Sequence, residues 1–161
     1  MYVARTLERF AKAAGRQFPI LLVTGARQVG KTTFLRHVSE PERTYVSLDD
    51  AGILDLAKRD PALFLQRFRP PLLIDEIQYA PELLPYIKME VDKTPLPNLF
   101  WLTGSQQFHL MKGVSESLAG RVAVVQLLGF SLRESAGRDS EVGAFIPTPT
   151  EMQDRGRRAE S

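Results

Sequence analysis

Short apolar runs alternate with amphipathic stretches along most of the chain. Five runs rich in branched or aromatic residues have the length of buried strands, and glycine or acidic residues follow them closely. The predicted strands cover residues 20–23, 43–48, 72–74, 99–103 and 122–128. Between these runs, apolar residues recur every three or four positions, which is typical of helices. This alternation predicts an α/β fold with a mostly parallel sheet that is covered on both faces.

Glycine, proline and aspartate mark the ends of the predicted helices. We expect the first helix to end at Gly15, and either Asp49 or Asp50 to cap the helix after the second strand. Asp60 and Pro61 begin a further helix, because aspartate is a good N-cap residue and proline suits the first turn. The predicted helices cover residues 2–15, 32–40, 51–59, 61–68 and 83–91, with further helical turns before Gly120.

Composition and charge narrow the class of protein. The 161 residues suffice for one domain at roughly 150 residues per domain. A hydrophobic fraction of 43% with 25% charged residues is typical of a globular protein, and the absence of cysteine excludes disulfides and thiolate-bound metals. A net charge of +2 is weak evidence for a nucleic-acid surface. No apolar run approaches the roughly 18 residues of a membrane helix, so we expect a cytoplasmic protein without a membrane partner.

The segment GARQVGKT, residues 25–32, matches the pattern G-x-x-x-x-G-K-[ST] of a phosphate-binding P-loop. It lies between a predicted strand and a predicted helix, where backbone N–H groups and the helix dipole favour phosphate oxygens. Glycines at the first and sixth positions allow backbone conformations and a close approach that side chains would block. The predicted nucleotide-binding residues are Gly25, Ala26, Arg27, Gln28, Val29, Gly30, Lys31, Thr32 and Thr33.

Three residues at the end of this loop have distinct predicted roles. We expect Lys31 to lie over the β- and γ-phosphates, Thr32 to offer its hydroxyl to Mg²⁺, and Thr33 to reach the α-phosphate. The pattern therefore predicts a nucleotide and Mg²⁺ as ligands. The alternative is a glycine turn with a solvated lysine.

Two adjacent carboxylates follow the third predicted strand, in the sequence PLLIDE. The carboxyl ends of the strands form the edge at which open α/β sheets bind ligands. This is the position of a Walker B motif, in which Asp75 holds Mg²⁺ through water and Glu76 orients and deprotonates the attacking water. The alternative is an ordinary boundary between a strand and a loop.

Two further candidates lie at the ends of other strands. Ser105, after the fourth strand, can place a hydroxyl between the γ-phosphate and the water, and Thr103 is the competing choice. Arg121, before the fifth strand, can project towards a neighbouring subunit and stabilise γ-phosphate charge in trans. The alternatives are that both hydroxyls only satisfy turn hydrogen bonds, and that the arginine is an exposed or helix-terminal charge.

Taken together, these motifs resemble AAA-type ATP-binding proteins of bacteria and archaea whose ATPase core is followed by a C-terminal domain of unknown function. The resemblance covers residues 1–134 and rests on YVARTL, LLVTGARQVGKTT, YVSLDD, LLIDEIQYAPELLPYIK, FWLTGSQQFHLM and SESLAGRVAVVQLLGFSLRE. It implies a three-layer P-loop NTPase sandwich with strand order 5-1-4-3-2, and ATP as the nucleotide. It also implies that Ser105 resembles a sensor-1 residue and that Arg121 resembles an arginine finger, which requires a homo-oligomer.

The predicted organisation is an ATPase core at residues 1–134 and a poorly ordered tail, or the start of a missing C-terminal region, at residues 135–161. No segment of the tail matches the helical lid that AAA-type ATPases carry. We therefore expect Mg²⁺-dependent ATP hydrolysis, weak or inactive in this chain, and the alternative is a nucleotide-dependent switch with little turnover. A small-molecule kinase is a further hypothesis, for which DEIQ offers no acceptor-binding residues. Nucleic acid stays open as a partner, although no binding motif supports it.

Overall fold

The structure is a computed structural model that describes residues 2–105 and 108–137. Its contacts divide the chain into two compact units, one formed by residues 7–130 and the other including residues 2–6 and 131–137. None of the helices in these described stretches has the length and apolar character of a membrane-spanning helix. The larger unit contains all five strands and therefore the candidate site.

The strands and helices alternate as the sequence predicts. The strands are β1 (Ile20–Gly25), β2 (Thr44–Ser47), β3 (Leu72–Asp75), β4 (Phe100–Ser105) and β5 (Val122–Gln126). The helices are α1 (Glu8–Gln17), α2 (Lys31–Val38), α3 (Ala51–Arg59), α4 (Pro61–Arg67), α5 (Leu83–Lys93), α6 (Phe108–Leu118) and α7 (Leu132–Ser135), with a 3₁₀ turn at Ile77–Tyr79.

All four strand pairs of the sheet are parallel, and the strand order is β2-β3-β4-β1-β5. This is the predicted order 5-1-4-3-2 read from the other edge, so the predicted fold class is confirmed. Because β1 lies between β4 and β5, the loop after β1 leaves from the interior of the sheet. The third strand, which carries the paired carboxylates, lies one strand further along, beyond β4.

The sheet is buried on both faces because side chains alternate along each strand. Leu21, Val23 and Trp101 pack with apolar residues of α1 and α2 on one face. Ile20 and Leu22 lie on the opposite face, in a core that also contains residues of α3, α4, α5 and α6. The result is the three-layer arrangement that the sequence predicts.

Helix α1 differs from its predicted limits at both ends. It begins at Glu8 instead of residue 2 and continues to Gln17, so the predicted end at Gly15 is wrong. A Cβ atom on Gly15 would lie 3.1 Å from Asn98 Oδ1 and 3.3 Å from Trp101 Cζ2. The glycine therefore serves close packing of α1 on the sheet rather than helix termination.

Several other element ends follow local chemistry. Asp50, not Asp49, caps α3, because its Oδ1 accepts hydrogen bonds from the N–H groups of Gly52 (2.9 Å) and Ile53 (3.0 Å). Asp60 caps α4 as predicted. Strand β1 extends two residues beyond its predicted end and includes the first glycine of the loop.

The smaller unit is organised around the carboxylate of Glu134. This carboxylate accepts hydrogen bonds from Arg5 Nε (3.2 Å), Thr6 N (2.9 Å) and Ser131 N (2.8 Å). Burial alone would raise the pKa of Glu134, but these donors lower it below its ordinary value. Arg5 and Thr6 make these bonds and are not helical, although the sequence predicts a helix over residues 2–15. The predicted boundary at 134/135 falls within α7, and the remainder of the predicted tail, residues 138–161, lies outside the described residues.

Candidate nucleotide-binding site

The loop after β1 has a backbone that only glycine accommodates at its first position. Gly25 has a φ of +155°, and a Cβ atom on it would lie 2.3 Å from the carbonyl oxygen of Leu127. That contact is with backbone directly after β5, so a side chain at this position would push two strand ends apart. Gln28 and Gly30 also have positive φ values, 64° and 88°, which curl the loop before α2 begins.

The first turn of α2 presents its backbone towards the loop. The first intrahelical hydrogen bond runs from Phe34 N to Gly30 O, at 2.8 Å. The N–H groups of residues 31–33 precede that bond, and such groups at a helix start bind anions well. Ala26, Arg27, Gln28 and Thr33 are exposed, whereas Val29 and Gly30 are half-buried. The loop is therefore open to a ligand on its outer side.

Lys31 lies beneath the loop rather than in solvent. Only 5% of its surface is exposed, and its Nζ donates to the carbonyl oxygens of Gly25 (3.3 Å) and Ala26 (3.0 Å). The alternative interpretation as a solvated lysine is therefore wrong. The carbonyl contacts hold a positive charge beside the N–H groups of the loop, where it adds to their attraction for phosphate.

The carboxylate of Asp75 connects three neighbouring elements at the carboxyl edge of the sheet. Its Oδ1 accepts hydrogen bonds from Thr32 Oγ1 (2.7 Å) and Thr103 Oγ1, and its Oδ2 accepts one from Tyr45 OH (3.1 Å). Asp75 is buried, so these donors compensate for the loss of water around its charge. The structure thus brings together Thr32 and Asp75, the two predicted Mg²⁺ ligands.

Glu76 follows immediately and has a left-handed backbone, with φ 59° and ψ 47°. Its N–H donates to Thr103 Oγ1 at 2.9 Å, and its Oε2 accepts a hydrogen bond from Gln78 Nε2. The Oε1 of Gln78 in turn accepts from Ser105 N at 3.2 Å. A left-handed conformation is uncommon for a residue with a side chain and often accompanies function.

The two competing hydroxyls of β4 have different surroundings. Thr103 is fully buried, and its hydroxyl both accepts from Glu76 N and donates to the Asp75 carboxylate. The hydroxyl of Ser105 is buried without a hydrogen-bond partner among residues 2–105 and 108–137. Thr103 therefore holds the two carboxylate residues in place, while Ser105 has a hydroxyl suited to contact a ligand.

Sequence reasoning missed Tyr45 as a member of this site. Tyr45 pairs with Leu73 in the β2–β3 register, two residues before Asp75, so Tyr45 and Asp75 share one face of the sheet. Burial and the charge of Asp75 raise the pKa of the Tyr45 phenol, and the Arg36 guanidinium lies 4.8 Å from its ring centroid. The expected strand order places β2 beside β3, but the register that brings Tyr45 to Asp75 is known only from the structure.

Arg121 is not brought to the site of its own chain. Its carbonyl oxygen accepts from Ile20 N at the amino end of β1 (3.2 Å), at the opposite edge of the sheet from the loop. Its guanidinium donates to both carboxylate oxygens of Asp92, at 2.6 and 3.1 Å. A role for Arg121 in a neighbouring subunit therefore stays a prediction.

Among solved structures, the chain is similar to a Pif1 helicase from Bacteroides in complex with ADP-AlF3 and ssDNA, with 15% identity and a TM-score of 0.46. That likeness covers 81% of this chain and 43% of the helicase chain. A structure of two coordinating Pif1 helicases at forked dsDNA gives 15% identity, a TM-score of 0.44, and coverage of 81% and 45%.

Sequence comparison gives much closer relatives. Two uncharacterized proteins, from Mycobacterium tuberculosis and Mycobacterium bovis, are each 41% identical to the chain over 118 residues. The match covers 72% of this chain and 26% of each relative, so the chain spans about a quarter of the length of the curated relatives it matches. Residues 17–136, which include all five strands, match the model of a family described as an AAA domain. The chain therefore belongs to the AAA domain family.

Proposed function

We propose that this chain binds Mg²⁺·ATP and hydrolyses it to ADP and phosphate. The observation that carries the proposal is the 2.7 Å hydrogen bond between Thr32 Oγ1 and Asp75 Oδ1. It joins α2, the helix that follows the P-loop, to the carboxylate at the end of β3, although the two residues are 43 positions apart in the chain. Lys31 precedes Thr32 on the same helical turn. The ammonium group that we propose binds phosphate therefore lies next to the two proposed Mg²⁺ ligands, Thr32 and Asp75.

The loop fits the phosphates of a nucleotide. A Cβ atom on Gly30 would meet nothing within 4 Å, so the space beside the loop is open there, and the helix start offers N–H groups that are suited to anions. Lys31 exchanges its contacts with the carbonyls of Gly25 and Ala26 for phosphate oxygens when nucleotide binds. This exchange keeps the ammonium hydrogen-bonded in both states, so the burial of its charge is compensated throughout.

The donor set also fits Mg²⁺, which prefers hard oxygen ligands and retains several waters. Thr32 would supply a hydroxyl oxygen to the ion, and the Asp75 carboxylate would hold it through water. Bound Mg²⁺ neutralises charge on the phosphates and orients them. Tyr45 and Thr103 hold the Asp75 carboxylate through separate oxygens, which fixes its orientation before any ligand arrives.

The remaining residues support a hydrolytic step. A water molecule held by the Glu76 carboxylate attacks the γ-phosphorus, and the bond from the γ-phosphorus to the β–γ bridging oxygen breaks. Glu76 accepts the proton of the water, ADP departs with the electron pair of the broken bond, and phosphate is the second product. Ser105, at the end of the neighbouring strand β4, donates its hydroxyl to a γ-phosphate oxygen.

Phosphate release and nucleotide affinity, measured on this chain and on matched variants, test the proposal. Lys31→Ala should abolish nucleotide binding, and Glu76→Gln should retain binding but lose turnover by at least about 100-fold. Lys58→Ala, at an exposed lysine of α3, is the control and should behave as wild type. Turnover that survives in Glu76→Gln would refute the assignment of the base. Tight binding without turnover in the wild-type chain would instead favour a nucleotide-dependent switch.

A further inference from the structure

We propose that Gln78 is a positioning residue that couples the Glu76 carboxylate to Ser105, a role that rests on the proposed hydrolysis. Its side-chain amide lies between the two groups. The Nε2 group donates to Glu76 Oε2, and Oε1 accepts from Ser105 N at 3.2 Å. One planar amide thus joins the proposed base after β3 to the end of β4.

An amide is the side chain that suits this position. It donates at one end and accepts at the other, so it binds a carboxylate and a backbone N–H at the same time. A carboxylate at residue 78 would still accept from Ser105 N but would repel Glu76. An apolar side chain of the same length would fill the space without making either hydrogen bond.

The backbone around Gln78 is well placed to hold that amide still. Gln78 lies in the 3₁₀ turn, which is closed by hydrogen bonds from Tyr79 N to Glu76 O (3.0 Å) and from Ala80 N to Ile77 O (3.1 Å). Ile77 and Ala80 are fully buried in the core beneath the sheet. The turn therefore has little freedom to move relative to β3, and its buried residues restrict the position of the Gln78 amide.

Ser105 connects this amide to the proposed position of the γ-phosphate. Ser105 carries a buried hydroxyl that has no partner in the described part of the chain, while its own N–H is held by Gln78. Gln78 therefore keeps the Glu76 carboxylate in a fixed position relative to the hydroxyl that contacts the γ-phosphate. Because Gln78 orients the base and does not itself bind nucleotide, its loss should lower kcat rather than nucleotide affinity.

A double-mutant cycle tests this role. We compare kcat and KM for ATP in the wild type, Gln78→Met, Glu76→Gln and the double variant, with Gln66→Met on the exposed face of α4 as the matched control. Gln78→Met should lower kcat about tenfold with KM within about twofold, because it removes one charge-assisted hydrogen bond. Adding Gln78→Met to Glu76→Gln should change kcat no further, since Gln78 acts through Glu76.

Three outcomes would overturn the coupling. An unchanged kcat in Gln78→Met would do so, as would an equal loss in the presence and absence of the Glu76 carboxylate. If Gln78→Met does not fold, Gln78→Glu takes its place because it keeps the shape of the side chain. A wild-type kcat in Gln78→Glu would also refute the coupling. If turnover of the wild-type chain does not depend on Glu76, both the proposed hydrolysis and the role of Gln78 are refuted. If turnover depends on Glu76 but is unchanged in Gln78→Met, only the role of Gln78 is refuted.

Discussion

Replacement of Thr103 by valine distinguishes a structural hydroxyl from the Ser105 hydroxyl that we propose contacts the γ-phosphate. Thr103 is fully buried, donates to Asp75 Oδ1 and accepts from Glu76 N at 2.9 Å. Valine has nearly the same shape, so Thr103→Val removes both hydrogen bonds without opening a cavity. The neighbouring change Ser105→Ala removes a hydroxyl that has no protein partner in the described residues, and it is the matched control.

The expected cost can be worked out from these contacts. The bond to the Asp75 carboxylate is charge-assisted, and its loss costs about 1.5–3 kcal/mol. Removing the acceptor of the Glu76 N–H costs about 1–3 kcal/mol, while the added methyl group returns about 0.8 kcal/mol. Because Asp75 keeps Thr32 and Tyr45 as donors, the lower ends of these ranges apply, which gives a net loss of about 2 kcal/mol.

Urea unfolding followed by circular dichroism measures this loss. With an m value of about 2 kcal/mol/M, Thr103→Val should lower the unfolding midpoint by about 1 M, and Ser105→Ala should stay within about 0.3 M of wild type. A Thr103→Val midpoint equal to that of the wild type would refute the structural role. Phosphate release then completes the comparison, because Ser105→Ala should lower kcat at unchanged stability.

Three further changes probe other parts of the molecule. Tyr45→Phe removes a donor to Asp75, so the Mg²⁺ concentration for half-maximal turnover should rise about 2–10-fold, and an unchanged Mg²⁺ titration would contradict this. Glu134→Gln should lower the free energy of unfolding at pH 7. That difference should diminish as the pH falls through the lowered pKa of Glu134, which unfolding measured at a series of decreasing pH values would test. Arg121→Ala should lose turnover and regain part of it when mixed with Lys31→Ala chains; failure of the mixture to recover activity argues against a role in trans.

The sequence predicts most of the fold because its signals are local. Branched residues in short runs define the strands, and the pattern around Gly25 and Lys31 occupies eight consecutive residues, so neighbours in the chain are neighbours in space. Asp75 and Glu76 follow from the same logic, since they directly end an apolar run. The strand order came from the family resemblance, because periodicity in a sequence does not specify which strands pair.

The contacts that hold the Asp75 and Glu76 carboxylates could not be predicted from the sequence, because they join residues that are far apart in the chain. Tyr45 lies 30 positions before Asp75, and the two meet only because β2 and β3 pair in one register. Gln78 meets Ser105 across 27 positions, through a turn that the sequence presents simply as the continuation of DEIQ. The predicted helix end at Gly15 was wrong for the same reason. A glycine is needed there because the helix packs closely against Trp101, which is far away in the chain.

The place of β2 in the sheet links ligand binding to local opening of the strand. Strand β2 has four residues and lies at one edge of the sheet of five described strands, where it pairs with β3. Short strands at a sheet edge open more readily than central ones, and each opening withdraws the Tyr45 hydroxyl from Asp75. A ligand that needs the oriented Asp75 carboxylate binds the closed form and so suppresses opening. Thr44 N donates to Pro71 O, and Val46 faces β3 in the same way. The amide hydrogens of Thr44 and Val46 should therefore exchange with deuterium more slowly as Mg²⁺·ATP is added, which makes this strand a natural reporter of occupancy at the site.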